Sequence, residues 1–581
     1  MTTQTSVPAS AVALLPAGTT ATVTGSGATA QVLREHLRAI GATLTVSDES
    51  GTDDSAAATV ALSLGDGRRR AATVGWAGPV ADPDLADETT VQAICGVMHV
   101  NGRRSGYPRG LEVDYCATAA GVLAATGLLA SLLLPAERLR VDTSVAEAAL
   151  LAVSQYLAAA GADDPEAVDP APGGPPFVSL DGVRFEIESL QPEPWAAFWS
   201  ALDAEPRALR KGWRPFQFRY ATATAPVPQA LHDATRGRMF ADITRIAARS
   251  GVSVCRLYRG DEPGAPAPDC LPAPWSLVPQ PTKVARQRYS APMAMQRYSA
   301  PMAVQRNSAP MASSPLSGIR VLEAGRRVQA PLAAHLLRLL GAHVTRVEPP
   351  GGDPLRQMPP CSGDLSSRWL ALNRDKAAAE FDIKSPGDRA RLRASAAEAD
   401  VFLHNWAPGK AEEFGLAAAD LPPGLVYTYT SGWSGLYLPD LPPGTDFMVQ
   451  ARSGLADLVG PPDTPPAPSL MTLLDVLGGV LGAEATVLGL LHRDRTGAGA
   501  AVESSLLSAS NTLRRHGRTT SRRGTRQPFR LDGRWVAVGS SGTPVPVTGD
   551  LADLPTDARF ATVLGRDTFG CPALTTPWRL S

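Results

Sequence analysis

An acidic residue at the head of a long apolar stretch is the first feature of this sequence with a chemical use. The stretch reads LLDVLGGVLGAEATVLGLLHRDRTGAG over residues 473–499, and its acid is Asp475. The apolar run predicts a buried helix, and a carboxylate at its start has two uses. It caps the helix by accepting a hydrogen bond from a free backbone N–H of the first turn, or it takes part in a reaction.

The length and composition of the chain limit the class of protein. Its 581 residues predict about two to four domains, and 44% hydrophobic with 19% charged residues is typical of a globular protein. A formal net charge of -1 gives no electrostatic reason to expect a nucleic acid or an anionic membrane as partner. Small molecules and protein surfaces are the expected partners.

The six cysteines are scattered and form no C-x-x-C pair, which argues against a disulfide framework and a zinc site. We therefore predict no metal site and a cytoplasmic location. The N-terminus lacks the basic region of a secretory signal, and Pro16 interrupts its apolar run. The apolar segment 119–134 is shorter than the roughly 20 residues of a membrane span, so it predicts a buried helix and no membrane is expected.

A repetitive tract lies near the middle of the chain. Three consecutive nine-residue copies, QRYSAPMAM, QRYSAPMAV and QRNSAPMAS, occupy residues 287–313. The tract has little large apolar surface to bury, which cannot offset the entropy of ordering it. We predict a flexible linker over 281–315 between two halves, 1–280 and 316–581. A partner-binding repeat is the alternative interpretation.

The two halves resemble each other, which indicates an internal repeat. VQAICGVMHVNG from Val91 matches VQARSGLADLVG from Val449. The same register aligns the apolar segments 119–133 and 477–491 without a gap. Two matches in one register predict a duplication.

The register also separates the acids of the two halves. Asp475 lies opposite Ala117, whereas Asp114 lies opposite Thr472. One copy therefore has the acid at this position and the other does not.

The order of elements predicts an α/β fold with Rossmann-like, parallel-sheet large lobes. Residues 317–351 read as a short strand, a helix that ends near Gly341 and a second strand, which is a βαβ unit. Residues 20–48 repeat this order. The loop TGSGATA lacks the full G-x-G-x-x-G set of a dinucleotide site, so a plain tight turn is favoured there.

Six motifs between residues 316 and 511 carry a family resemblance. They are LSGIRVLEAGRRVQAPLAAHLLRLLGAHVTRVEPPGGDPLR, LNRDKAAAEFDIKSPGDRARL, ADVFLHNWAPGKAEEFGL, LVYTYTSGWSG, GTDFMVQARSGLADLVGPPDTPP and LLDVLGGVLGAEATVLGLLHRDRTGAGAAVESSLL. In this order they resemble the family III CoA-transferases, the group that includes formyl-CoA transferase, carnitine CoA-transferase and α-methylacyl-CoA racemase.

The resemblance implies a nucleophilic role for Asp475. Its carboxylate would attack an acyl-CoA thioester to give a mixed anhydride, the released CoA thiolate would form an aspartyl-CoA thioester, and an incoming acid would complete the exchange. Acyl-CoA and a carboxylic acid are then the implied partners, with coenzyme A as a substrate and no tightly bound cofactor. Gln329 is implied to lie close to CoA and the catalytic acid.

Five further positions occupy segments that line the CoA nucleotide in the family. A basic side chain suits phosphate, and amide or backbone groups suit adenine and pantetheine. Solvated charges are the alternative for the two basic residues, and a turn-stabilising role is the alternative for the asparagine. The five residues are Arg374, Lys376, Asn405, Pro408 and Gly409.

One departure from the family pattern bears on the reaction. The racemase branch has a histidine before an acid where this chain has Thr445 and Asp446. Threonine cannot act as a base near neutral pH, so two-base racemisation is disfavoured. Asp446 is expected to orient groups near the thioester or to hold its own turn. A repurposed isomerase, a dehydratase or a non-catalytic CoA-ester-binding relative is the alternative to CoA transfer.

The halves keep different parts of the family module, whose members interlock as homodimers. The first half has a sparse large lobe and a fuller small α+β domain over 177–264. The second has a full large lobe and only two short pieces of the small domain, 529–539 and 572–580. We predict an intramolecular pseudo-dimer with one active site at Asp475, present as a monomer or as a homodimer of such chains.

Overall fold

The computed structural model places most of the chain. Of the predicted linker 281–315, residues 281–313 lie outside the described residues. The described residues are 14–45, 56–167, 171–260, 262–271, 273–280, 314–436, 441–517 and 526–581.

The first half forms a large lobe and a small domain. Its strands are β1 (Thr20–Thr24), β2 (Thr43–Thr45), β3 (Ala56–Ser63), β4 (Arg69–Gly75), β5 (Arg138–Ser144), β6 (Phe177–Val178), β7 (Arg184–Glu188), β8 (Ser253–Arg256) and β9 (Trp275–Pro279). Its helices are α1 (Ala28–Ala39), α2 (Glu88–Ile94), α3 (Val97–Gly102), α4 (Tyr115–Ser131), α5 (Val145–Ala152), α6 (Ser154–Ala160), α7 (Pro192–Ala201), α8 (Pro206–Gln217), α9 (Arg219–Thr222), α10 (Gln229–Arg236) and α11 (Phe240–Ser250).

The second half has a fuller large lobe. Its strands are β10 (Arg320–Ala324), β11 (His343–Glu348), β12 (Cys361–Ser362), β13 (Leu365–Ser366), β14 (Ala377–Glu380), β15 (Val401–His404), β16 (Val426–Ser431), β17 (Ala500–Ser505), β18 (Phe529–Leu531), β19 (Arg534–Val538), β20 (Pro544–Pro546), β21 (Leu564–Arg566), β22 (Pro572–Leu574) and β23 (Arg579–Leu580). Its helices are α12 (Gln329–Leu339), α13 (Ser367–Asn373), α14 (Pro386–Glu398), α15 (Lys410–Phe414), α16 (Asp446–Ser453), α17 (Leu455–Leu458), α18 (Leu473–Thr496) and α19 (Leu506–His516).

The sheet of the second lobe is the predicted parallel one. Its seven strands follow the order β14-β11-β10-β15-β16-β17-β9, and all neighbours are parallel except the last pair. The predicted βαβ unit is confirmed as β10, α12 and β11. Because parallel strands present their carboxyl ends at one edge, the loops after β10 and β15 lie side by side there.

The sheet of the first lobe is mixed, which corrects the prediction of a parallel sheet in that half. Its order is β2-β1-β3-β4-β5-β23, and β3 runs antiparallel to both β1 and β4. The reason is the short connection between β3 and β4, since a tight turn joins only antiparallel strands. The pairs β1–β2 and β4–β5 are parallel.

Each large sheet takes its last strand from the other half. Strand β9 belongs to the first half and pairs with β17 in the second lobe. Strand β23 belongs to the second half and pairs with β5 in the first lobe. Both added strands are antiparallel edge strands, so the halves exchange equivalent elements.

Helices α4 and α18 lie at the centre, within one continuous apolar core that draws on both halves. Every residue of α4 is buried, which confirms the predicted buried helix. Helix α18 has the length and hydropathy of a membrane span, alone among the helices in the described part of the chain, and 94% of its most apolar window is buried inside the fold. The small domain, with the sheet β6-β7-β8, has a separate aromatic core.

Candidate active site

Asp475 lies in the first turn of α18, not at the N-cap. The helix begins at Leu473 and its N-cap is Thr472, whose backbone is left-handed (φ 54°, ψ 48°) and whose side chain makes no capping hydrogen bond. The interpretation of Asp475 as a cap is therefore wrong. The Asp475 carboxylate is partly exposed and makes no hydrogen bond to any residue that the structure describes.

Asp446 supplies the cap from the start of α16. Its Oδ2 accepts the backbone N–H of Leu474 at 2.7 Å and of Asp475 at 2.8 Å, and its Oδ1 accepts the Gln450 amide at 2.5 Å. Gln450 also bonds the backbone N–H and carbonyl of Ser469. An acidic acceptor at a helix N-terminus is favourable. The network thus fixes the start of α18, which is a structural role for Asp446; its predicted role in orienting groups near the thioester stays a prediction.

A narrow pocket of about 30 Å³ lies beside Asp475, between the two halves. The first half contributes Glu188 at the end of β7 and Tyr220 in α9. The second half contributes Arg327, from the loop before α12, and the starts of α16 and α18. Because the lining comes from both halves, neither half holds the complete pocket.

The pocket carries charges of both signs. Glu188 accepts the Thr445 hydroxyl at 2.8 Å and lies 3.3 Å from the guanidinium of Arg219. Arg327 is exposed, and its guanidinium carbon lies 5.5 Å from the centre of the Tyr220 ring, within the range of a cation–π contact. Its backbone is left-handed (φ 62°), a conformation uncommon for arginine that tends to occur at functional sites.

These surroundings change the acidity of both acids. Burial raises the pKa of Asp475 well above its usual range, the charge of Asp446 raises it further, and Arg327 lowers it. Burial also raises the pKa of Asp446 to about 6, against the hydrogen bonds that lower it. Two carboxyl groups this close resist ionising together. A carboxylate with a raised pKa is more basic, and so a better nucleophile once ionised.

Gln329 is brought next to the Asp475 helix, as predicted. It is the first residue of α12, it is buried, and its side-chain N–H donates to the carbonyl oxygen of Ser431 at 3.4 Å. It packs on α18 at Gly478, where a Cβ would lie 2.8 Å from the Gln329 nitrogen. Gly478 lies one helical turn after Asp475, and a side chain at this position would require the Gln329 amide to shift.

Lys376 and Arg374 lie inside the second lobe. The Lys376 ammonium donates to Glu323 at 2.9 Å, to the Pro331 carbonyl oxygen at 2.8 Å and to the Asn373 side chain at 2.9 Å, which uses all three of its N–H donors. Burial lowers the pKa of Lys376 to about 8. Arg374 is 4% exposed. The alternative of two solvated charges is wrong, and the ammonium is committed to the fold, with no N–H left for a phosphate.

The other three predicted CoA contacts lie at the carboxyl edge of the second sheet. Asn405 follows β15 and accepts the Arg326 backbone N–H at 2.9 Å while donating to the Arg326 carbonyl at 2.9 Å. Pro408 and Gly409 lie three and four positions further along the chain and are exposed. Asn405 thus ties two loops of this edge together, as its alternative role predicts, and the exposed pair is open to a ligand.

The first half repeats the Asp446 network at equivalent positions. Glu88 accepts the backbone N–H of Cys116 at 2.9 Å and of Ala117 at 2.8 Å, and the Gln92 amide at 2.9 Å. Gln92 also bonds the backbone of Leu111. Each of these five residues lies opposite a member of the Asp446 network in the predicted register, and Ala117 occupies the position of the acid.

The helix starts confirm that register. Helix α4 begins after its N-cap Asp114, and α18 begins after its N-cap Thr472. The Asp114 carboxylate forms an ion pair with Arg526. The sequence therefore predicted correctly that Asp114 is not the counterpart of Asp475.

Sequence reasoning missed several residues that line the pocket, among them three from the small domain and Arg327. Glu188, Arg219 and Tyr220 come from the small domain of the other half, and spacing along a chain carries no signal for that packing. Arg327 had a signal, since it stands two positions before Gln329 in a motif already singled out.

Comparison with known proteins identifies the family. The sequence profile of CoA-transferase family III matches residues 71–268 and 316–537. The matched residues are most of the chain, and one segment falls in each half. The protein belongs to CoA-transferase family III.

Several characterised relatives are similar over part of their length. Succinyl-CoA:glutarate CoA-transferase of Mus musculus is 35% identical over 200 residues, which are 34% of this chain and 46% of that protein. Acetyl-CoA:oxalate CoA-transferase of Acetobacter aceti is 32% identical over 37% of this chain and 59% of its own. This chain thus aligns with about half the length of these relatives. A crystal structure of Rv3272 from Mycobacterium tuberculosis is 29% identical over 40% of this chain and 66% of that one, with a TM-score of 0.35.

Proposed function

We propose that this protein transfers CoA between an acyl-CoA thioester and a carboxylic acid, with Asp475 as the nucleophile. The observation that carries the proposal is the Asp475 carboxylate, which lies at a pocket and is free of hydrogen bonds to described residues while Asp446 holds the backbone beneath it. The family membership and the names of the relatives support the same reaction.

The first stage moves the acyl group onto the enzyme. A carboxylate oxygen of Asp475 attacks the thioester carbonyl carbon. The carbon–sulfur bond breaks, the CoA thiolate departs, and a mixed anhydride of Asp475 and the acyl group forms. The thiolate then attacks the Asp475 carbonyl carbon of the anhydride. The anhydride carbon–oxygen bond breaks, which releases the first acid as a carboxylate and leaves an aspartyl-CoA thioester.

The second stage runs the same steps with the incoming acid. Its carboxylate attacks the aspartyl-CoA thioester and displaces the thiolate, which gives a new anhydride. The thiolate then attacks the acyl carbonyl, restoring the Asp475 carboxylate and releasing the new acyl-CoA. Gln329 is the first residue of α12 and contacts α18 one turn after Asp475. It is the proposed side-chain donor near the reacting carbonyl oxygens.

The CoA nucleotide is proposed to lie along the carboxyl edge of the second sheet, against Asn405, Pro408 and Gly409. These groups are exposed or half-buried and adjoin the loop that ends at Gln329. Lys376 and Arg374 support this lobe from inside.

We infer further that the chain is an intramolecular pseudo-dimer of modules 1–280 and 316–581, joined by a linker over 281–315. The exchanged edge strands β9 and β23 support this inference, as do the matched networks of Asp446 and Glu88. A closed two-fold arrangement of equivalent units is the common form of such an assembly.

The proposed activity is tested by incubating the protein with several acyl-CoAs and isotopically labelled free acids. Transfer predicts that the label appears in a new acyl-CoA, detected by mass. A thioester that is isomerised or dehydrated without taking up the labelled acid would instead support the repurposed-relative alternative.

A further inference from the structure

A second and larger cavity, of about 520 Å³, lies in the first half. Its floor is Ala117 in the first turn of α4, and one wall is the loop 25–29 between β1 and α1. The opposite wall is Val538 and Ser540 of the second half. The cavity is therefore also built from both halves, and its volume is within the range of small-molecule sites.

The cavity lies at the positions of the first half that correspond to the Asp475 pocket of the second half. Ala117 occupies the position of Asp475, and the loop 25–29 follows β1 as the loop 325–329 follows β10. Three large polar residues of the second half, two of which line the Asp475 pocket, correspond to smaller residues in the first half. The replacements are Ala117 for Asp475, Gly27 for Arg327 and Thr29 for Gln329.

The lining of the cavity disfavours a free carboxylate. Asp87 and Glu88 both line it, and the cation Arg526 is already paired with Asp114. Asp87 accepts the Ser540 backbone N–H, which fastens the second half's small domain over the cavity. The excess of acidic groups repels an anion, so the incoming acid of the reaction is not the expected ligand.

The remaining surface suits a neutral chain that has amide groups. Trp76, Ala57, Ala117 and Val538 give apolar walls, while Ser540 gives a hydroxyl at the rim. The pantetheine arm of a CoA thioester is neutral and carries two amides and a hydroxyl. The methyl group of Ala117 has no nucleophilic atom, so the acyl group of a thioester bound here has no acceptor at the position that corresponds to Asp475.

We propose that this cavity binds the pantetheine arm of a CoA thioester without covalent chemistry. The proposal rests on the proposed function for the choice of ligand class, since the cavity corresponds to the Asp475 pocket. It adds a second, unreactive binding site on the same chain.

The test is disulfide capture at the cavity floor in the full-length protein. Ala117→Cys is treated with pantethine, the disulfide of pantetheine, and separately with hydroxyethyl disulfide, which lacks the arm. In each reaction the introduced thiolate attacks one sulfur of the reagent, a mixed disulfide forms, and one reagent thiol is released. The half-buried thiols of Cys270 and Cys361 provide the reference rate for each reagent.

For each reagent, the rate of Ala117→Cys is divided by the rate of the reference thiols. Binding of the arm predicts that this ratio is about tenfold larger for pantethine than for hydroxyethyl disulfide, which corresponds to about 1.4 kcal/mol. Ser540→Cys at the exposed rim gives a second position with the same expectation if Ala117→Cys folds poorly. Equal relative rates for the two reagents would overturn the proposal. The readout involves no CoA exchange, so it is independent of whether Asp475 is the nucleophile.

Discussion

At the scale of residues, the chemistry depends on how Asp475 is surrounded. Its carboxylate has no hydrogen bond among the described residues, and burial with a neighbouring Asp446 raises its pKa. Arg327 acts in the opposite direction, because its positive charge favours the ionised form. The proposed nucleophile thus has a raised pKa, and the nearby cation acts against that rise.

Replacing Arg327 tests this balance. Only the ionised carboxylate attacks, so kcat/KM should fall as the pH falls through the pKa of Asp475. Arg327→Gln removes the charge that lowers this pKa, so the acid limb of the pH profile should move to higher pH. Arg326→Gln, an exposed neighbour, is the matched control and should leave the limb in place. An unchanged limb in Arg327→Gln would contradict the assigned role of Arg327.

At the scale of elements, local pattern predicted more than contacts between distant segments. The βαβ unit from β10 to β11 and the register that aligns α4 with α18 follow from periodicity and from the internal repeat. The antiparallel direction of β3 was not predicted, because the short turn between β3 and β4 gave no sequence pattern that outweighed the expected βαβ order. The sequence predicts Lys376 to contact CoA, with a solvated charge as the alternative, yet its ammonium binds three partners on separate elements that only folding brings together.

The two matched networks provide a controlled test of how α18 is positioned. Gln450→Met and Gln92→Met each leave buried backbone groups unsatisfied, which should cost about 1–3 kcal/mol of unfolding free energy. Only Gln450→Met should also lower kcat, since Gln450 holds Asp446 and, through it, the backbone of Asp475. Denaturant unfolding and exchange rates measure the two effects. An equal loss of kcat in both variants would show that general destabilisation, not positioning, is responsible.

At the scale of the whole molecule, the halves depend on each other. Besides the exchanged strands, ion pairs cross between them, including Arg579 with Glu147 at 2.5 Å and Arg515 with Glu35 at 2.5 Å. Buried His36 also lies 2.8 Å from Glu484. Such pairs matter because removing one partner leaves a desolvated charge behind. The Asp475 pocket itself requires both halves.

This dependence predicts the behaviour of the separated halves. Residues 1–280 and 316–581 expressed alone should be insoluble, because each exposes apolar surface and lacks an edge strand of its sheet. Coexpressed, they should copurify in equal amounts with CoA exchange restored. Cleavage of the intact chain within 287–313 should likewise leave exchange intact. Two stable halves that do not associate would refute the predicted pseudo-dimer.

The central claim is that Asp475 is a nucleophile, and Asp475→Asn tests it most directly. An asparagine side chain has nearly the size of aspartate, and burial disfavours the charge of Asp475, so the variant should fold. Asp242→Asn changes the third residue of α11, the same helical position away from the pocket, and serves as the control.

The measurement is acyl-CoA exchange, with hydroxylamine used to trap the acyl group that the parent protein carries on Asp475. We predict that Asp475→Asn loses exchange by about three orders of magnitude or more and yields no trapped group, because an amide cannot form the anhydride. Asp242→Asn should match the parent. Near-parental exchange by folded Asp475→Asn would contradict the account.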